Sequence, residues 1–406
     1  MPKYSFIVKN TLSQTQRGTM EGLSREDIIK KLQAQGLTII AVTSAQNVEN
    51  IEAAATKKFG HNGITDSDLC QFAKQLSVLL SSGVTLLRAL EIASRQTSSR
   101  KFHEMLTGVT DAVKEGLSLT EALSKHPRTF TSLWTGLVDT GEASGNLSQV
   151  LDKLASYLEM QLGFARKIQS AMVYPGVLLC AAGGAMFFFM TFIMPKFKDM
   201  FMQMSIELPT MTLAVFAVSD FLRSYLILIV VAAVAAGWAF KQWLYTDAGR
   251  KSFDYAVINM PGLSTFFMTY YLERMASTLS ILFESGVPIV YALDVAIRGV
   301  GNSVIEEKLQ TIKENVKSGN ALAGEFQATG FFPPMIVEMA SIGEEVGKLP
   351  EMFKKISQHY KIELETGVER FTAAFEPMMI CVMGVLVGVL VIALFMPMFK
   401  MSSMGG

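Results

Sequence analysis

Leu76-Ser-Val-Leu-Leu-Ser-Ser-Gly83-Val-Thr-Leu-Leu-Arg-Ala-Leu-Glu-Ile-Ala-Ser-Arg95 returns in the second half of the chain as Leu279-Ser-Ile-Leu-Phe-Glu-Ser-Gly286-Val-Pro-Ile-Val-Tyr-Ala-Leu-Asp-Val-Ala-Ile-Arg298. Ten of the twenty positions are identical and most of the others exchange like for like. The correspondence continues downstream. Gly141-Glu142-Ala-Ser-Gly145-Asn-Leu147 matches Gly343-Glu344-Glu-Val-Gly347-Lys-Leu349, Pro175 matches Pro377, and Ile193-Met-Pro195-Lys-Phe197 matches Phe395-Met-Pro397-Met-Phe399. A unit of roughly 130 residues is therefore duplicated at an offset near 202. A repeat of that length is a domain in itself, which excludes short-period solenoids. Each copy ends in an apolar run, so the duplicated unit reads as a helical bundle tied to a membrane helix.

Composition supports a mixed protein. Half of the 406 residues are hydrophobic and only 18% are charged. That is too apolar for an ordinary soluble chain and too charged for one lying wholly in a bilayer. The 36 cationic and 36 anionic residues cancel, and their mixing along the chain argues against a nucleic-acid partner. Three stretches, 170–195, 224–240 and 377–399, contain no Asp, Glu, Lys, Arg or His. The first and third exceed the ~20 residues that a helix needs to cross the hydrocarbon core. The second reaches that length with Leu222 and the flanking Trp238, Trp243 and Tyr245 placed at the interface. No secretory signal is recognisable at the N-terminus. Arg166 and Lys167 precede the first span, and Lys241, Arg250 and Lys251 follow the second. Both large polar parts are therefore expected on the same, cytoplasmic side of the membrane. Cys180 and Cys381 fall in spans and Cys70 on a helix, which gives neither a disulfide framework nor a metal cluster.

The expected organisation is mainly α. Residues 1–43 form a small β-β-α-β unit: Tyr4 to Val8 alternates as a strand, Ser24 starts a helix, and Thr38 to Val42 is β-branched. A polar linker covers 44–65. A first bundle of about six helices spans 66–169, with Leu69, Phe72, Ala73, Leu76 and Leu80 on one face. Spans at 170–195 and 222–243 bracket a short periplasmic loop at 196–221. A second bundle covers 244–376, a third span 377–399, and a periplasmic tail 400–406.

Enzymatic patterns fail on inspection. Gly343-Glu-Glu-Val-Gly347-Lys-Leu resembles a phosphate loop, but it has three residues between its glycines and Leu349 where a metal-binding hydroxyl belongs. The four histidines have no paired spacing. No catalytic, metal or cofactor-binding residues are expected. The repeated Gly-Glu-x-x-Gly turns are the strongest candidates for function or architecture. Gly141 and Gly343 are expected to end helices in a left-handed conformation, with Gly145 and Gly347 in the same turns. Glu142 and Glu344 either make an internal ion pair within each bundle or contact a partner. Pro175 and Pro377 are either first-turn residues or kinks between bundle and span. Gly384 and Gly388 in the third span, and Ala232, Ala233, Ala236 and Gly237 in the second, offer close helix-packing faces.

The duplicated bundle, the Leu79-Leu-x-x-Gly83-Val motif with its copy from Leu282, the Gly-Glu-x-x-Gly-x-Leu turns and the span after each copy together resemble the F-domain family. These are the inner-membrane platform proteins of type IV pilus and type II secretion systems. The N-terminal Tyr4-x-Phe6, Gly18-x-x-x-Gly22 and Leu32-x-x-x-Gly36-Leu extend the likeness over the whole chain. The resemblance implies a non-enzymatic platform coupling a cytoplasmic assembly ATPase to insertion of pilin subunits into a fibre. The partners it implies are the hexameric ATPase, pilin or pseudopilin subunits, other inner-membrane platform proteins and further copies of the chain. The alternative is a transporter or channel formed by an oligomer, although no carboxylate lies in the uncharged spans.

Overall fold

The computed structural model describes residues 3–9, 15–21, 38–44, 59–204 and 208–404. It divides into residues 1–63 with 98–101, and the remainder. In the first unit, β1 (Lys3–Lys9), β2 (Thr15–Glu21) and β3 (Thr38–Ser44) form an antiparallel sheet with β1 in the centre. Phe6 stands opposite both Gly18 and Val42. The helix expected after Ser24 and most of the polar linker lie outside the described residues.

The second unit is helical. In its N-terminal part are α1 (Asp66–Ser81), α2 (Leu86–Gln96), α3 (Arg100–Lys114), α4 (Leu119–Ser124), α5 (Ser132–Ser144) and α6 (Leu147–Phe188). Thr65 starts α1 with a reciprocal cap: its hydroxyl accepts from the Asp68 N–H while the Asp68 carboxylate accepts from the Thr65 N–H at 2.8 Å. Gly83 ends it with φ +83°, which lets the Val84 N–H reach back to the Leu79 carbonyl. The duplicate turn at Gly286 has φ +80° and the equivalent Val287-to-Leu282 bond. Sequence duplication is thus duplication of backbone geometry. The corresponding helices are α10 (Ser264–Glu284), α11 (Ile289–Val300), α12 (Ser303–Lys317), α13 (Leu322–Ala328), α14 (Pro334–Glu345) and α15 (Leu349–Met404). Between the repeats come α7 (Met194–Gln203), α8 (Thr210–Leu244) and α9 (Asp247–Asn259).

Each bundle has an aromatic centre. Phe72, Phe102, Phe130 and Trp134 pack edge-on and stacked in the first, and Phe283, Phe326, Phe332 and Phe353 in the second. The two centres belong to one continuous apolar core running from Leu69 to Tyr360. The seam is made where α5 meets α11. A Cβ on Gly136 would lie 3.0 Å from the Tyr291 ring. Along the same seam Lys153 Nζ donates to the Glu284 carbonyl at 2.6 Å, and the Tyr157 hydroxyl approaches Thr278 Oγ1 at 3.5 Å.

Among the described residues, three helices are long and apolar enough to cross a membrane. The first continues from α6 through a π-helical turn, Phe189–Ile193, into α7. The second is α8, of 35 residues, and the third belongs to α15, of 56. The stretch 196–221, expected as a short loop, is helical over most of its length. Phe197 and Phe201 of α7 lie near Val215 and Phe216 of α8 in a second small core with Leu390 and Ala393, and this apolar periodicity sustains helix where uncharged length alone had suggested a turn. Ser219 donates to the Met190 carbonyl in the π turn, Thr212 to the Ala393 carbonyl, and Lys198 pairs with Asp220. Thr212 and Ser219 are buried, which strengthens their two hydrogen bonds.

Because the core is shared, Leu90→Ala, at a fully buried position of α2, is expected to lower stability by about 2–5 kcal/mol. Hydrogen exchange on the full chain should show slow-exchanging amides of both bundles losing protection together; loss confined to the first bundle would contradict a common core.

Candidate functional site: the duplicated turns

The short helix α4 begins with four N–H groups that its own turns leave without partners, a general feature of helix starts. Ser118 and Glu121 satisfy two in a capping box. The Leu119 and Thr120 N–H groups donate instead to Glu142, at 2.7 and 2.9 Å, one to each carboxylate oxygen, and the Thr120 hydroxyl donates to the same carboxylate at 2.6 Å. In the second repeat, Leu322 N–H and Ala323 N–H of α13 donate to Glu344 at 2.9 and 3.0 Å. Ala321, the residue that precedes α13, has no side-chain oxygen with which to cap it, so Glu344 takes on more of the task there. Within the chain the glutamate's partners are backbone N–H groups in both copies and not the cation of an internal ion pair. Two adjacent donors at the positive end of a helix need two acceptor oxygens and a negative charge, which a carboxylate supplies and a hydroxyl or amide does not.

The glycines divide the work differently from expectation. Gly141 and Gly343 lie within α5 and α14, whereas Gly145 and Gly347 take the left-handed conformation, with φ +70° and +69°. The first glycine is required by space. A Cβ on Gly141 would lie 3.1 Å from the Leu147 Cα, and one on Gly343 3.1 Å from the Leu349 Cα. Its carbonyl also receives the N–H five residues on, from Asn146 at 3.0 Å or Lys348 at 2.7 Å, the bond that a left-handed second glycine makes possible. Carboxylate, close approach and left-handed turn together fix how α6 and α15 leave their bundles.

Pro175 and Pro377 stand inside α6 and α15, far from any first turn. Each removes one helical hydrogen bond where the chain passes from bundle to span. Lys167 ties the two long helices together just before this point, reaching Glu365 at 3.0 Å and Glu369 at 3.1 Å. Gly384 and Gly388 meet nothing within 4 Å, so the packing faces they offer are not used within one chain.

One buried carboxylate escaped the sequence reading. Glu273 of α10 is 6% exposed and accepts from the Ser357 hydroxyl of α15 at 3.2 Å. Burial pushes its carboxyl above the ordinary value, and hydrogen bonds from Ser357 and Gln161 only partly offset this. The equivalent positions in the first repeat are Cys70 and Ala155, where the Cys70 thiol contacts the Ala155 carbonyl at 3.7 Å. The signal in the sequence is its spacing: Glu273 falls on the same helical face as Thr269, Leu272 and Ala276 of α10. A cleft of about 570 Å³ opens nearby between the bundles, with Arg128, Arg274, Arg298 and Asp66 among its walls. Arg298 is held by Asp294 at 2.9 Å, and Arg274 approaches the Tyr270 hydroxyl at 3.5 Å.

The family description "Type II secretion system (T2SS), protein F" matches twice, over residues 72–195 and 275–397. The chain belongs to this family. Each match begins in a bundle and ends at a proline within a membrane-capable helix, Pro195 or Pro397, so the family unit coincides with the structural repeat. The type IV pilus assembly protein PilC of Thermus thermophilus is 36% identical over 98% of both chains. The type II secretion system protein F of Pseudomonas aeruginosa is 29% identical over the full length of both, and that of Vibrio cholerae 29% identical over 100% of this chain and 99% of its own.

Two predictions follow from these contacts. Glu142→Ala and Glu344→Ala should each cost about 1–3 kcal/mol in denaturant unfolding, since two backbone N–H groups lose a charged acceptor; an unchanged midpoint would remove the capping role. For Glu273, the folded state holds its proton more tightly than the unfolded one. Stability should therefore fall as pH rises from the ordinary glutamate value through the raised folded value. Glu273→Gln should be more stable than the parent at neutral pH and lack that component of the slope, and an identical pH profile would contradict the assignment.

Proposed function

We propose that this chain is an inner-membrane platform on which a type IV pilus or a type II secretion pseudopilus is assembled. In this reading it couples a cytoplasmic hexameric assembly ATPase to the insertion of pilin or pseudopilin subunits into the fibre and catalyses no reaction itself. The names of its relatives support this reading, and the observation that carries the mechanism is the continuity of α6 and α15. Each begins at a Gly-Glu-x-x-Gly turn inside a bundle and runs unbroken into an apolar segment. At 1.5 Å per residue, the 56 residues of α15 extend ~84 Å, of which a bilayer core accounts for ~30 Å. Its first three turns, from Leu349 to Tyr360, are packed into the bundle core. A displacement imposed on the bundle by the ATPase then reaches the bilayer through a helix and not through a loop.

The finer arrangement belongs to the same proposal. Both bundles, 66–169 and 244–376, lie in the cytoplasm, three spans cross the inner membrane, and residues 1–43 form a β-β-α-β accessory unit. The chain acts as a homo-oligomer alongside other inner-membrane platform proteins. Glu142, Glu344 and their glycines set the angle of each lever. Pro175 and Pro377 mark the level at which it enters the bilayer, and Gly384 and Gly388 present the third span to a neighbouring helix.

A flexible Gly-Ser-Gly-Ser insertion after Glu369 tests the lever. The variant should still insert in the membrane and bind the purified assembly ATPase, yet lose fibre assembly, measured as surface pili or secreted substrate. Normal assembly with the insertion in place would contradict rigid coupling.

A further inference from the structure

Within one chain the two bundles meet through faces that are not equivalent. The first bundle offers α5 and the second offers α11, with the Tyr291 ring 3.0 Å and Val295 Cγ2 3.5 Å from where a Cβ of Gly136 would sit. Because the second bundle is a copy of the first, each face has a twin. The twin of α5 is α14, with Glu338 in place of Gly136 and Ile342 in place of Thr140. The twin of α11 is α2, with Arg88 in place of Tyr291 and Ile92 in place of Val295.

These twins do not pack on each other within the chain. On α14, Glu338 is exposed, forms no ion pair among the described residues, and is followed by Ile342 at 48% and Val346 at 57% exposure. On α2, the Arg88 side chain is 58% exposed and, among the described residues, is engaged only by Glu91 one turn along its own helix, at 2.9 Å. We propose that the α14 face of one copy receives the α2 face of the next, repeating between chains the contact that already joins the bundles within a chain.

The chemistry of the twins fits that use. Where the internal seam sets a large ring against a glycine, the corresponding positions outside carry a carboxylate and a guanidinium. Opposite charges brought to the same place favour association and fix its register. Ile92 stands where Val295 does and brings an apolar side chain to the exposed Ile342, so that the charged pair flanks an apolar contact. The operation is also compatible with a bilayer, an argument that rests on the membrane placement proposed above. α6 and α15 leave their bundles through equivalent turns and cross in the same sense, so the movement that carries the first bundle onto the second keeps both spans in one membrane. Applied again, it places the first bundle of a neighbouring chain with its span in the same plane. The contact is head-to-tail, and it generates a ring when the rotation closes.

The test uses the full-length chain in native membranes, with Cys70, Cys180 and Cys381 replaced by serine and with Arg88→Cys and Glu338→Cys combined. A short bis-maleimide should give dimers, trimers and longer products from the double variant, because every copy then carries both halves of the contact, and none from either single variant. Products that stop at the dimer, products from either single cysteine, or no product from protein with unchanged thermal unfolding would each overturn the proposal. A charge swap gives an independent readout. Glu338→Arg alone should weaken self-association by about tenfold or more, and adding Arg88→Glu should restore it; failure of restoration in folded protein would also overturn it. Binding of the assembly ATPase by the cysteine-free protein reads the platform role separately, so loss of the ladder with ATPase binding intact would refute this contact alone.

Discussion

The carboxylate of Glu142, and again that of Glu344, closes the N-terminal end of a helix more than twenty residues earlier in the chain. α4 has six residues and α13 seven, too short to be stable alone in water. Their burial supplies apolar contacts, but the N–H groups at their starts would be costly without acceptors. By holding those groups, the glutamate attaches the short helix to the hairpin from which the long helix springs. The glycine just before it lets that hairpin close, because no side chain intervenes between the helix and Leu147 or Leu349. The bundle's shape and the direction of the membrane helix are therefore set by the same few atoms.

The second constraint is the common core. Two bundles joined only by chain connectivity would move separately, since inter-domain surfaces within a chain are ordinarily modest and polar. Here Gly136 admits the Tyr291 ring, and the apolar cluster runs through both copies. Lys167 with Glu365 and Glu369 adds a polar tie between the long helices. Surface ion pairs of this kind contribute little stability, and their value is in fixing the relative rotation of α6 and α15. In the lever proposed for this chain, a load applied to one bundle is shared with both long helices.

Much of this was legible in the sequence. The repeat, the six helices of each copy, the three apolar segments and the turn positions follow from periodicity and from glycine. The role of Glu142 and Glu344 did not, because their partners are backbone groups distant in sequence, and periodicity carries no information about which helix start a side chain will meet. The two glycines of each turn were read in the wrong order for a related reason. Sequence distinguishes neither a glycine needed for positive φ from one needed for space, nor a helix that continues by one more turn from one that stops. Pro175 and Pro377 fit a helix start, where proline is favoured, and an internal kink equally well, and only the packing on either side distinguishes the two by carrying the helices through. The segment 196–221 falls between two apolar stretches and so reads as a loop, while its Phe197 and Phe201 spacing already contains a helix. Glu273 was passed over on a helical face that it shares with Leu272 and Ala276, although its counterpart Cys70 shows what an uncharged occupant of that position looks like.

The account stands or falls on whether α15 is one rigid helix from bundle to bilayer. Spin labels at Lys354 and Gly384, in a chain freed of Cys70, Cys180 and Cys381 and reconstituted in lipid, measure this by pulsed dipolar spectroscopy. Thirty helical residues predict a narrow distance distribution near ~45 Å, unchanged in width when the assembly ATPase is added. A broad distribution, or one displaced well below that distance by a break at Pro377, would contradict the lever and with it the link proposed between the duplicated turns and the membrane.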